Sequence, residues 1–236
     1  MRFLLIRPKL DSDATAEQLR NKNHVANIDP LLRIEALKIS QPAFNQYQAF
    51  IFTSSNSLRA YRFPDAAKSI KVFTVGQKTL KTAQENGFND IISANGDVKK
   101  LSETIKSTLD PKDGPLLYFA GVDVAGSIEE DLTQAQFQVD VRSVYHAKAA
   151  DNLNQTTISL LKDGKIDYIP FYSPRSALIF RKLVEKSKLE DTLDTVTALC
   201  LSAEVKSEIS SLRWKKILTA KFPNQDALFK LVNIEF

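Results

Sequence analysis

Short apolar runs of four to six residues alternate with longer stretches of helical pattern along most of this chain, and no other feature constrains its fold as much. Runs of that length, bounded by polar and turn residues, read as buried strands, and helices between them require parallel pairing with crossovers. The expected strands cover 3–6, 49–53, 71–75, 90–93, 116–120, 167–172, 196–201 and 217–220. The expected helices cover 13–22, 55–62, 77–86, 98–109, 125–135, 174–185, 203–212 and 224–232. The fold class is therefore α/β with doubly wound, flavodoxin-like parallel sheets.

The rhythm repeats. Phe52-Thr53-Ser54-Ser55-Asn56-Ser57 echoes Phe171-Tyr172-Ser173-Pro174-Arg175-Ser176. A second strand with a small residue and a helix follows each copy, Val75-Gly76-Gln77-Lys78-Thr79 and Leu201-Ser202-Ala203-Glu204-Val205. Third strands end alike in Ile92-Ser93-Ala94 and Leu218-Thr219-Ala220. Self-similarity of this kind indicates two related units in one chain. Two further segments, near 30–35 and 139–145, alternate apolar and polar residues as half-exposed strands do. An inserted lobe satisfies all of this. Residues 1–33 and 146–236 form one domain, 36–138 form the other, and the two crossing segments make a two-stranded antiparallel linker.

Ligands of doubly wound sheets bind beyond the carboxyl ends of the strands, where helix N-termini present free N–H groups. Ser54, Ser55 and Ser173 fall there, with Pro174 suited to the first helical turn. Gly76 permits close backbone approach, Thr79 lies in the following first turn, and Ser202 takes the place of Gly76 in the second copy. Plain N-capping explains any one of these residues. The set, drawn from both lobes, points to a ligand with several carboxylates or phosphates held in a cleft between them. Tyr145 closes the return crossing segment, where it serves either as packing or as a hydroxyl donor into the cleft.

Other chemistries find little support. The sequence contains no Gly-x-Gly-x-x-Gly, Walker loop, Gly-x-Ser-x-Gly elbow or His–Glu metal motif. Two histidines, His24 and His146, lie far apart, so no metal is expected. The net charge of +4 is spread evenly and shows no basic run with interleaved aromatics, which speaks against nucleic acid. No apolar run approaches the roughly 18 residues that cross a bilayer. The opening Met1-Arg2-Phe3-Leu4-Leu5-Ile6-Arg7-Pro8 becomes charged without a cleavage site, so a cytoplasmic protein with no membrane partner is expected. The lone Cys200 sits in an apolar run, as an inert buried thiol would.

Leu5-Ile6-Arg7-Pro8, Pro30-Leu31-Leu32-Arg33-Ile34, Phe50-Ile51-Phe52-Thr53-Ser54-Ser55-Asn56-Ser57, Val75-Gly76-Gln77-Lys78-Thr79, Gly87, Val144-Tyr145 and Phe171-Tyr172-Ser173-Pro174 form an ordered series along the chain. In this series the chain resembles the uroporphyrinogen-III synthases. The resemblance implies a cofactor-free lyase of haem biosynthesis, a monomer with two α/β lobes. Its substrate would be hydroxymethylbilane, a linear tetrapyrrole with eight carboxylates, cyclised with inversion of the last ring. It further implies that Tyr145 assists loss of the terminal hydroxyl, and that Arg7, Thr53, Ser54, Ser55, Asn56, Gly76, Thr79, Gly121, Ser173, Pro174 and Ser202 bind substrate.

Two departures stand out. Tyr118-Phe119-Ala120-Gly121-Val122-Asp123 has the expected strand and glycine, but Asp123 brings a negative charge where a base is usual in the family. Ser202 and Val205 replace Gly76 and Thr79 in the second copy. These departures motivate an alternative, a non-catalytic tetrapyrrole- or polyanion-binding protein on the same scaffold.

Overall fold

The computed structural model describes residues 1–123 and 128–236, which divide into two compact units. Unit one comprises Met1–Arg33 and Lys148–Phe236; unit two is Ile34–Ala147.

In chain order, β1 (Arg2–Leu5), α1 (Lys9–Asn21) and β2 (Val25–Ile28) open unit one, and β3 (Leu32–Ala36) leads out of it. Next come β4 (Ala49–Phe52), α2 (Ser55–Ala60), β5 (Lys71–Thr74), α3 (Gln77–Glu85), β6 (Ile91–Ser93) and α4 (Val98–Thr108). Unit two continues with β7 (Leu116–Gly121), α5 (Ile128–Gln134) and the long β8 (Val139–Ala149). The chain ends through α6 (Gln155–Lys162), β9 (Tyr168–Phe171), α7 (Pro174–Lys186), β10 (Thr197–Cys200), α8 (Ala203–Ile209), β11 (Lys216–Thr219) and α9 (Gln225–Lys230).

Unit one carries a sheet in the order β11-β10-β9-β1-β2, and unit two one in the order β3-β8-β7-β4-β5-β6. The pairs β1–β2, β1–β9, β9–β10 and β10–β11 are parallel, as are β4–β5, β4–β7, β5–β6 and β7–β8. Mapping β4, β5 and β6 onto β9, β10 and β11 places β7 and β8 where β1 and β2 stand. The two units therefore share one spatial order entered at different strands, and the sequence echoes fall on matching positions.

Each sheet is covered on both faces, which is why its strands read as nearly unbroken apolar runs. Along β1, Leu4 joins one core with Ile169, Phe171, Phe180 and Val184, while Phe3 and Leu5 join another with Leu19, Leu228 and Phe229. Along β7, Leu117 and Phe119 face a core rich in phenylalanine, and Leu116, Tyr118 and Ala120 face Leu101, Ile105 and Leu132 of α4 and α5. This alternation is the period-two signature of a strand buried on both sides.

Several elements differ from the sequence expectation. Helix α1 begins at Lys9 rather than 13, because Pro8 precedes its first turn and its carbonyl accepts from the Asp11 and Ser12 amides. Strand β2 is a four-residue edge strand and α6 an eight-residue helix, each too short to announce itself by periodicity. Strand β8 extends to Ala149. The expected helix start at 125 lies outside the described residues.

Candidate active site

In each sheet the chain runs outward from one strand and then returns to its other side, leaving a switch point between β1 and β9 in unit one and between β4 and β7 in unit two. Adjacent crossovers depart to opposite faces there, opening a crevice at the carboxyl ends of the strands. Most of the sequence candidates stand at or beside these two crevices.

In unit two, Thr53 follows β4, and its Oγ1 lies 2.8 Å from the hydroxyl of Tyr118 on β7. Tyr118 is 3% exposed. Burial is the main reason its phenol is pushed above the usual value; the Thr53 bond opposes this, and nearby Tyr145 and Glu129 add to it. The hydroxyl thus stays protonated at neutral pH. Beside it, β8 slips by one residue against β7, with Ala120 opposite Ser143 and Gly121 opposite Tyr145. A bulge of this kind re-aims a side chain. The ring of Tyr145 lies directly on Gly121, and the Val122 N–H donates to the Tyr145 carbonyl at 2.9 Å. The Asp123 carboxylate meets Nε2 of His146 at 3.2 Å, so the acid that motivated a non-catalytic reading has a partner within its own unit.

The serines prove to be caps as well as candidates. Ser54 Oγ accepts from the Asn56 N–H at 3.2 Å, Ser173 Oγ from the Ser176 N–H at 3.2 Å, and Ser202 Oγ from the Val205 N–H at 3.4 Å. Ser173 and Ser176 also share a hydroxyl–hydroxyl bond of 2.9 Å. Gly76 behaves differently: it precedes α3 without a side-chain cap, and a Cβ there would meet nothing within 4 Å. Ser55 and Thr79 are buried, Asn56 is half-buried and Pro174 is exposed at the first position of α7.

In unit one, Arg7 lies just past β1 and is held on two sides. One nitrogen reaches Asp11 Oδ2 at 3.2 Å, and the guanidinium carbon sits 4.0 Å from the ring centre of Tyr172, just past β9. The Tyr172 hydroxyl donates to Gln225 Oε1 at 3.2 Å, and Gln225 Nε2 donates to Gln18 Oε1 at 2.8 Å. Thr15 Oγ1 donates to the Asp11 carbonyl at 3.0 Å. Burial pushes the Tyr172 phenol up to about 12, with Arg7 pulling the other way. Sequence reasoning passed over Asp11, Tyr118, Tyr172 and Gln225. Asp11 carried the one available signal, since an acid four residues beyond an arginine at a helix start is placed to pair with it.

A family model described as uroporphyrinogen-III synthase HemD matches residues 13–230. The chain belongs to this family. It is accordingly an enzyme of haem biosynthesis with a tetrapyrrole substrate. A crystal structure of uroporphyrinogen-III synthetase from Helicobacter pylori 26695 aligns over 98% of both chains at 18% identity and a TM-score of 0.68. A mutant uroporphyrinogen III synthase from the extremely thermophilic bacterium Thermus thermophilus aligns over 98% of this chain and 96% of its own, at 13% identity and a TM-score of 0.55. At these identities the two structures speak for the fold. No curated protein sequence matches the chain. Among the described residues no cluster of His, Cys, Asp and Glu is placed to hold a metal, and no helix is long and apolar enough to cross a membrane.

Proposed function

We propose that the chain cyclises hydroxymethylbilane to uroporphyrinogen III without a cofactor, with Tyr145 as the hydroxyl donor that assists the departing terminal hydroxyl. Loss of that group, leaving as water once protonated, gives an electrophilic azafulvene. The substituted carbon of the last ring attacks it to form a spiro intermediate; reopening and reclosure then release the inverted isomer. Because the substrate closes unaided to the type I isomer, the protein's task is chiefly to hold a conformation, and a lone donor suffices where a triad would be superfluous.

The observation that carries this reading is the Tyr145 phenol at the carboxyl end of β7, seated on Gly121 beside the half-buried Tyr118–Thr53 hydrogen bond. Arg7, the N-terminus of α3 and the capped serine turns are groups of the kind that take carboxylates. Thr53, Ser54, Ser55, Asn56, Gly76, Thr79, Ser173, Pro174 and Ser202 belong to the same proposed substrate surface. Net loss of water with ring closure makes the reaction that of a lyase. The protein works in this reading as a cytoplasmic monomer, which the buried thiol of Cys200 suits; burial pushes that thiol up to about 12. Sedimentation checks the oligomeric state.

The test is an isomer assay on freshly made hydroxymethylbilane. Type III product is expected. Type I alone under several conditions overturns the enzymatic reading and returns the binding-protein alternative. Tyr145→Phe should keep the fold and slow turnover about tenfold, a loss confined to a transition-state interaction.

A further inference from the structure

Gly121 has a role that its sequence position does not disclose. A Cβ built on it would stand 2.7 Å from Cζ, 2.9 Å from Cε2 and 3.0 Å from the hydroxyl oxygen of Tyr145. Ordinary carbon–carbon contact is about 3.5–4.0 Å, so any side chain at 121 would push the phenol outward by about 1 Å. The atoms in the way belong to the outer end of a side chain, and swinging the ring relieves the clash without moving backbone. Three features fix the backbone from which the ring projects. The register shift after Ala120 brings Tyr145 opposite Gly121, the Val122 N–H holds the Tyr145 carbonyl at 2.9 Å, and Val144, the preceding residue, is fully buried in the aromatic core.

We infer that Gly121 is a positioning residue: its bare backbone is the seat that sets where the Tyr145 hydroxyl stands at the carboxyl edge of the sheet. The inference rests on the catalytic reading of Tyr145. It replaces direct substrate contact as the reason for a glycine here. A donor displaced by about 1 Å loses much of its effect, up to a hundredfold where geometry is demanding. Here the loss is capped by what the hydroxyl itself contributes.

The test is a double-mutant cycle on the full chain, with turnover of hydroxymethylbilane and the type III to type I ratio as readouts. Tyr145→Phe and Gly121→Ala are each expected to lower kcat about tenfold with KM held within about twofold, as for loss of a transition-state interaction. The double variant is expected within about twofold of Tyr145→Phe, since the displaced ring no longer carries a hydroxyl. Unchanged kcat in Gly121→Ala, or losses that multiply in the double variant, overturns the seat and leaves the reading of Tyr145 standing. Full turnover in Tyr145→Phe overturns that reading and the seat with it. Should Gly121→Ala fold poorly, the same change in a Tyr145→Ala background must be neutral in melting temperature. An equal loss with the ring removed overturns the proposal.

Discussion

The two units offer the same sheet order and fill their switch points with opposite chemistry. Unit one places Arg7, Asp11 and Tyr172 between β1 and β9, a cation fixed by a carboxylate on one side and an aromatic face on the other. Unit two places Thr53 and Tyr118 between β4 and β7, two neutral hydroxyls, with Gly121 and Tyr145 alongside. One scaffold position has thus been furnished once for charge and once for proton donation. On the proposed function, the charged crevice of unit one suits recognition of a carboxylate and the neutral crevice of unit two suits donation of a proton.

The sharpest way to break this contrast is to remove the charge. Arg7→Ala takes the guanidinium from Asp11, which is only 8% exposed, and from the face of Tyr172. A loss of about 2–3 kcal/mol is expected in a denaturant melt, in the range for partly buried pairs. KM for the bilane should also rise about tenfold or more, since a charge-assisted contact is removed, while kcat changes less. An unchanged KM would take Arg7 out of recognition.

Alkaline unfolding provides the second comparison. The Tyr172 phenol is pushed from 10 to about 12 in the folded protein, so its neutral form is favoured by the fold. The unfolded chain loses this proton first as pH rises. The stability is therefore fully present below pH 10 and disappears between 10 and about 12, by roughly 3 kcal/mol for a shift of this size. Tyr172→Phe should flatten that part of the pH profile in denaturation midpoints taken at each pH, and a profile left as steep would take the Tyr172 phenol out of the alkaline transition.

Smaller effects sharpen the neutral crevice. Tyr118→Phe removes the 2.8 Å bond to Thr53 and should cost about 1 kcal/mol, as for a single buried hydrogen bond. Turnover should fall a few-fold, and less than in Tyr145→Phe, since Tyr118 touches Thr53 and the core. A larger kinetic loss in Tyr118→Phe would make it the donor in place of Tyr145.

Much of the fold could be read from residues alone because buried parallel strands leave compact apolar runs. Phe50-Ile51-Phe52 and Leu116-Leu117 are unmistakable, and their alternation with helices dictates the sheet class. Edge elements were harder: Val25–Ile28 has too few residues to show a period, and α6 hides in a polar stretch. The candidate site divides similarly. Ser54, Ser173 and Gly76 were visible as punctuation between strand and helix. Tyr118 was hidden inside a strand, where an aromatic usually signals only packing, and Tyr172 beside a serine motif that drew the eye.

The sequence by itself determined the longer secondary elements, the internal echo and the family series, since these depend on local periodicity and on residues a few positions apart. Only the tertiary structure decided which strands flank each switch point, that Arg7 stacks on Tyr172 from the far end of the chain, and that a glycine in β7 receives a tyrosine from β8. Sheet order and register are properties of long-range hydrogen bonding and two-sided burial, to which no single stretch of sequence is sensitive. The shared order of the two units, entered at different strands, is likewise a fact of space, invisible to a chain read from end to end.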